Sequence, residues 1–125
     1  MPDSMGQVEC TIPVLPVRDL SRSLTFYADL LGFAVDWIGE QKLACSVSRD
    51  GCCIMLLQRN PWNGPAWVWI GLHDDSLFED FRTKGVKIHQ EPRNERWAYE
   101  MKFEDIDGNI LWLGTEPKQD APIEK

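Results

Sequence analysis

A pattern of predicted elements that occurs twice along the chain constrains the fold most. The first half reads as a strand, an amphipathic helix and three further strands, and the second half repeats that order. Both halves end alike, because Asp50-Gly51 precedes the apolar run CCIMLL and Asp107-Gly108 precedes NILWLG. Repetition of this kind predicts a duplicated unit rather than a single irregular domain.

The helices and strands of each half follow from capping residues and apolar spacing. Asp19 is a good N-cap, and apolar residues then recur on one helical face, at Leu20, Leu24, Tyr27 and Leu31. Ser76 and Glu79 have the spacing of a capping box at the start of the second helix. Strands are predicted at 11–17, 33–38, 43–48 and 52–57, and again at 66–72, 86–90, 98–103 and 109–113.

These elements divide the chain into two modules. The first module spans 9–57 and the second spans 66–115, and the turn-rich segment 58–65 (QRNPWNGP) forms a linker between them. The terminal segments 1–8 and 116–125 are predicted to be flexible tails.

The net charge and the apolar pattern argue against some classes of partner and location. The chain has 125 residues and carries 13 Lys plus Arg against 20 Asp plus Glu, a net charge of −7. Such acidity disfavours nucleic acid and anionic membranes as partners. We find neither an apolar run of about 18 residues nor a signal peptide, so a cytoplasmic location is expected. The unusual feature is tryptophan, of which there are 6.

Two stretches resemble the vicinal oxygen chelate superfamily, which includes glyoxalase I, extradiol dioxygenases, and fosfomycin- and bleomycin-resistance proteins. They are VLPVRDLSRSLTFYADLLGF at 14–33 and FEDIDGNILWLG at 103–114, and the bleomycin-resistance-like members are the most similar. The resemblance implies an α+β fold in which two βαβββ modules form a curled mixed sheet around a cleft. It also implies a homodimer whose modules are paired or swapped between chains.

The resemblance also supplies a test for a metal site. Metal-dependent members place four His or Glu ligands on the first and last strands of their modules. The corresponding positions here are Ile12, Met55, Trp69 and Trp112. None of these side chains is a ligand for a hard divalent cation, which needs carboxylate or imidazole groups. We therefore expect no metal and no cofactor, and we argue against glyoxalase-type or dioxygenase-type chemistry.

Large rings take the place of those ligands. Strand alternation puts Trp67 on the same face as Trp69, and the segment from Trp97 to Met101 resembles the W-G-x-x-E-F segment that lines the groove of bleomycin-resistance-like members. Trp62 lies in the linker, where a partner subunit would close the cleft. The candidate ligand-binding residues are Ile12, Met55, Trp62, Trp67, Trp69, Trp97, Tyr99, Glu100 and Trp112.

The leading hypothesis is a metal-independent binding protein that sequesters a small planar or cationic molecule, as in antibiotic resistance. One alternative is an isomerase or lyase of the same superfamily that works without a metal, with Glu100, Tyr99 and His73 as its candidate groups. Another is a dimeric module with no small ligand, in which the tryptophans merely fill space.

Overall fold

The computed structural model describes residues 6–124, so most of the predicted N-terminal tail lies outside the described residues. The first module contains β1 (Val14–Val17), α1 (Leu20–Thr25), a π-helical turn (Phe26–Leu30), β2 (Ala34–Ile38), β3 (Ala44–Arg49) and β4 (Cys52–Gln58). The second contains β5 (Trp67–Gly71), α2 (Ser76–Thr83), β6 (Lys87–Asn94), β7 (Tyr99–Glu104) and β8 (Ile110–Thr115).

The two modules share one topology. Within residues 6–124 the strands form two four-stranded sheets with orders β1-β4-β3-β2 and β5-β8-β7-β6. In each sheet the first strand runs parallel to the last, and the remaining neighbours are antiparallel. The predicted α+β fold with two similar βαβββ modules is therefore confirmed. The sheets are not closed onto each other by strand pairing across the described chain.

Each sheet has one face turned to the core, because its strands alternate between apolar and other side chains. The helices cover this face with Tyr27, Phe78 and Phe81, all of which are buried. The buried strand residues join both modules in a common core: Leu15, Val17, Cys45, Val47, Ile54, Leu56, Val68, Met101, Phe103, Leu111 and Leu113. The opposite faces of the sheets are left without helices.

The predicted N-cap residue is found at the start of α1 but not at the start of α2. Asp19 caps α1 as predicted, and its carboxylate accepts a hydrogen bond from the backbone N–H of Arg22 at 3.3 Å. The capping box at Ser76 is wrong, because α2 starts at Ser76 itself and its N-cap is Asp75. The Asp74 carboxylate accepts from the backbone N–H of Ser76 at 2.9 Å and from its hydroxyl at 2.6 Å. Among residues 6–124, no helix is long and apolar enough to cross a membrane.

The loop between β7 and β8 fastens the modules together. The buried carboxylate of Asp105 accepts hydrogen bonds from the hydroxyl of Tyr27 at 2.8 Å and from the amide of Asn109 at 3.0 Å. Asp107 accepts from the hydroxyl of Ser23 at 3.0 Å and from the backbone N–H of Arg18 at 3.0 Å. Burial raises the pKa of Asp105, and the hydrogen bonds from Asn109 and Tyr27 only partly oppose that rise. The D-x-D-G-N motif is therefore a junction between modules.

Two strands start or end at residues other than the predicted ones. Strand β1 begins at Val14 rather than at 11, and β6 continues past 90 to Asn94. Buried Asn94 also holds the C-terminal segment, since its amide donates to the carbonyls of Lys118 at 2.9 Å and Ala121 at 3.0 Å. Lys118 and Ala121, which lie in the segment predicted as a C-terminal tail, thus contact the end of β6.

Candidate functional site

Three indole rings meet on the face of the second sheet that carries no helix. Trp69 on β5 lies directly opposite Trp112 on β8, and their ring centroids are 5.3 Å apart with the planes at 84°. Trp67 lies two residues before Trp69 on the same face, 6.0 Å from the Trp112 ring at 80°. The edge-to-face geometry is that of favourable aromatic pairs. We call Trp67, Trp69, Trp97 and Trp112, with the polar groups they contact, the indole face.

The rings of the indole face are accessible to a ligand. Trp67 is 54% exposed, Trp69 is 48% exposed and Trp97 is 63% exposed, whereas Trp112 is half-buried beneath its neighbours. A glycine makes room for this arrangement. Trp69 occupies the space that a side chain at Gly114 would need, because a Cβ at that position would overlap the ring. Nothing in the sequence pattern signals this role of Gly114.

A buried carboxylate lies under the rings. Glu100 on β7 is 2% exposed and accepts hydrogen bonds from Trp97 Nε1 at 2.9 Å and from Gln90 Nε2 at 3.3 Å. Burial raises the pKa of Glu100, but the donors that face it, chiefly Trp97 and then Gln90 and Lys102, together outweigh burial and hold the pKa below its usual range. Trp112 Nε1 is buried and has no hydrogen-bond partner of normal geometry among the described residues. Glu100 is therefore ionised at neutral pH.

The charge of this carboxylate is matched by an amine from the same strand. Lys102 Nζ lies 3.3 Å from Glu100 Oε2 and donates to Gln90 Oε1 at 2.8 Å. The same ammonium group lies 4.8 Å from the centroid of Trp112 and 5.8 Å from that of Trp67. Strand alternation predicts that Lys102 is on this face, but not that its charge lies among the rings.

The edge of the indole face carries a second charged group of residues. His89 Nδ1 lies 3.1 Å from Glu104 Oε2, and Lys87 Nζ lies 3.5 Å from Glu104 Oε1. The His89 ring also meets Trp67 edge-on at 6.0 Å. The hydrogen bond from His89 is the main cause that lowers the pKa of Glu104, and Lys87 adds to it.

The structure does not bring Tyr99 and Trp62 to the indole face. Tyr99 stacks on Phe78 at 5.5 Å, on the helix side of the sheet, because it precedes Glu100 by one residue and alternation reverses its direction. The ring of Trp62 lies against the guanidinium group of Arg18, 3.7 Å from its centroid. Both residues therefore have structural contacts away from the cluster of rings.

Ile12 and Met55 belong to the first module. Met55 on β4 lies opposite Val14 in the parallel pair, so Val14 rather than Ile12 corresponds to Trp69 by register. Ile12 lies two residues before β1 begins. Trp37, whose direction the sequence leaves open, lies opposite Ser46 and is exposed, on the face of the first sheet away from the core.

The donors present do not fit a divalent metal. Met55, Trp69 and Trp112 offer no carboxylate or imidazole, and neither does Val14, which the register places opposite Met55, nor Ile12. His89 and Glu104 form a pair, but residues 6–124 contain no group of three or more His, Cys, Asp or Glu side chains arranged to hold a metal. We therefore derive no chemistry through a metal.

A family model matches residues 6–113, which span both modules and the junction between them. Its description is Glyoxalase/Bleomycin resistance protein/Dioxygenase superfamily. The chain belongs to this superfamily. The resemblance inferred from 14–33 and 103–114 is thereby confirmed. No curated protein matches the sequence.

Solved structures of the superfamily share the fold at low sequence identity. The bleomycin resistance determinant encoded on transposon Tn5 has a TM-score of 0.76 at 19% identity, over 87% of this chain and 98% of its own. The bleomycin-binding protein of Streptomyces verticillus, solved with copper(II)-bleomycin, has a TM-score of 0.69 at 21% identity, over 91% and 100%. A superfamily member from Nocardioides has a TM-score of 0.72 at 17% identity, over 98% and 93%. These likenesses establish the fold.

Proposed function

We propose that this protein binds a small planar molecule on the indole face and sequesters it without a metal. The observation that carries the proposal is the exposure of Trp67, Trp69 and Trp97, which are each about half or more accessible on one sheet face. Flat rings with exposed surfaces offer stacking area for a planar ligand at little conformational cost. The similarity in fold to a bleomycin-binding protein supports the binding of a small molecule.

The alternative, in which the tryptophans only fill space, explains their exposure less well. Side chains that only fill a cavity lose most of their exposed surface, as Tyr27 and Phe103 do in the core, where both are 0% exposed. Trp67 and Trp69 keep about half of theirs. Exposed large apolar patches of this kind mark binding surfaces in soluble proteins.

The enzyme alternative finds less support in the same geometry. Glu100 would have to serve as a base, yet it is 2% exposed and already accepts hydrogen bonds from Trp97 and Gln90. A general base must reach the proton that it removes. Tyr99 lies on the opposite face and His73 is exposed beyond the end of β5. Binding without chemistry needs none of these groups.

We further propose that a second copy of the chain forms the opposite wall of the cleft. The first sheet also leaves large apolar residues uncovered, among them Val14, Trp37 and Ile38. Pairing of modules between chains, which superfamily membership suggests, would place a second sheet opposite each face and leave the cleft between them. Sedimentation equilibrium should give a mass near twice 14.4 kDa. A mass equal to one chain at micromolar concentration would overturn this part of the proposal.

Fluorescence titration tests the binding proposal. We expect quinoline, a planar aromatic compound, to quench the tryptophan emission of the wild-type protein saturably. Trp69→Ala and Trp97→Ala should each weaken the binding about tenfold, since each removes one stacking surface. Trp62→Phe is the matched control and should bind normally, because Trp62 packs on Arg18. Equal weakening by Trp62→Phe, or no saturable quenching by quinoline, would contradict the proposal.

A further inference from the structure

The place that a cationic ligand would take on the indole face is already occupied by the protein itself. The Lys102 ammonium group lies within 6 Å of the centroids of Trp112 and Trp67, at 4.8 Å and 5.8 Å. Gln90 Oε1 fixes it at 2.8 Å. Within about 6 Å of an aromatic ring face, a cation makes its favourable interaction with the ring quadrupole. Lys102 therefore uses the attraction that these two rings would offer to a ligand cation.

The acidic groups of this face are also neutralised. Glu100 is paired with Lys102 at 3.3 Å, and Glu104 is paired with Lys87 at 3.5 Å and contacts His89 at 3.1 Å. The side chain of Lys102 is only 15% exposed, so water screens its charge poorly. A positively charged ligand would therefore find the cation position at Trp112 and Trp67 filled by Lys102, and the carboxylates of Glu100 and Glu104 already paired.

We infer that Lys102 sets the specificity of the indole face, whose ligand is a planar aromatic compound that carries no positive charge. The inference rests on the proposed function and concerns the same site. It separates the two ligand classes that the sequence left open, since a planar ring stacks on Trp67 and Trp69 whether or not it is charged. The net charge of −7 does not decide the matter, because the local charges of the site cancel.

Equilibrium dialysis with three compounds built on one ring system tests the inference. The probes are quinoline, which is uncharged at pH 8, quinoline-2-carboxylate and 1-methylquinolinium. The wild-type protein should bind 1-methylquinolinium about tenfold more weakly than quinoline or more weakly still. If the cation binds as tightly as quinoline, the inference is overturned while the proposed function stands. If none of the three binds, the proposed function itself fails and the inference falls with it.

Lys102→Met keeps the length of the side chain and removes its charge. In this variant 1-methylquinolinium should bind about tenfold more tightly than in the wild type, with quinoline changed less than threefold. A double variant with Glu100→Gln and Lys102→Met avoids leaving Glu100 unpaired, and it should also bind the cation more tightly than the wild type does. Lys84→Met, at the end of α2 where the ammonium group pairs with Asp80 at 3.1 Å, is the control and should change cation binding less than threefold. An unchanged cation affinity in both Lys102 variants would contradict the role of Lys102.

Discussion

The indole ring of Trp69 occupies the space that a side chain on Gly114 would need. Gly114→Ala should therefore move the ring off the sheet and weaken binding of quinoline about tenfold. Trp69 is half-exposed and can swing into solvent, so we expect the free energy of unfolding to fall by only about 1 kcal/mol. Gly39→Ala is the control, because a Cβ there makes an ordinary contact of 3.4 Å with Ala44. Unchanged tryptophan emission and affinity in Gly114→Ala would contradict this role of the glycine.

The buried carboxylate of Glu100 should make the stability of the protein depend on pH. Its pKa is lowered in the folded state, so its stabilising contribution is complete above the unfolded value of about 4.3 and is lost as the pH falls through the folded value. Glu100→Gln should cost about 1–3 kcal/mol at pH 7 and progressively less below about pH 4. Urea unfolding across this pH range gives the measurement. Glu40→Gln, an exposed change of the same type, should cost little at any pH. A cost for Glu100→Gln that does not vary with pH would show that the charge is unimportant.

The hydroxyl of Tyr27 donates to the buried carboxylate of Asp105 at the module junction and so opposes part of the rise that burial causes in the pKa of Asp105. Because the pKa of Asp105 is raised in the folded state, its contribution to stability is complete below the unfolded value and is lost as the pH rises through the folded value. Tyr27→Phe removes a donor to the ionised form and should cost about 1–3 kcal/mol at pH 7 but less in acid. Tyr99→Phe is the matched control, since no residue described here hydrogen-bonds the Tyr99 hydroxyl. Equal losses in the two variants would argue against the junction.

Asn94 should hold the C-terminal segment against the second sheet. Asn94→Ala removes the hydrogen bonds to the backbone of Lys118 and Ala121, so we expect trypsin to cut after Lys118 at least about tenfold faster. Mass spectrometry of a digestion time course gives the rate. Asn63→Ala, in the exposed linker, serves as the control. Identical cleavage rates in the two variants would mean that the segment is held by other contacts.

The duplicated fold could be predicted because its signals are local. Asp19 caps a helix and Asp50-Gly51 forms a turn with both φ angles positive, at 53° and 80°, as the sequence indicates. The alternation that places Trp67, Trp69 and Trp112 on one face is likewise a property of single strands. The predicted capping box fails because Ser76 is the first residue of α2 rather than its N-cap, and Asp74 accepts from both its N–H and its hydroxyl.

The charge state of the site could not be predicted, since it depends on contacts between strands. Alternation places Glu100 and Lys102 on one face, but their pairing through Gln90 requires the register of β6 against β7, which is interrupted by bulges. The packing of Trp69 over Gly114 depends on the register of β5 against β8. The net charge of −7 is compatible with a cationic ligand but cannot decide for one, because it says nothing about which carboxylates are already paired.

The indole N–H resonances of the six tryptophans test the central claim most directly. Assigned by single substitutions, they would be followed by two-dimensional NMR during titration with quinoline. The account predicts saturable shifts at Trp67, Trp69 and Trp97, a smaller shift at Trp112, and none at Trp62, whose ring packs on Arg18. Shifts confined to Trp62 or Trp37, or no shifts at saturating quinoline, would contradict the claim that the indole face is the binding site.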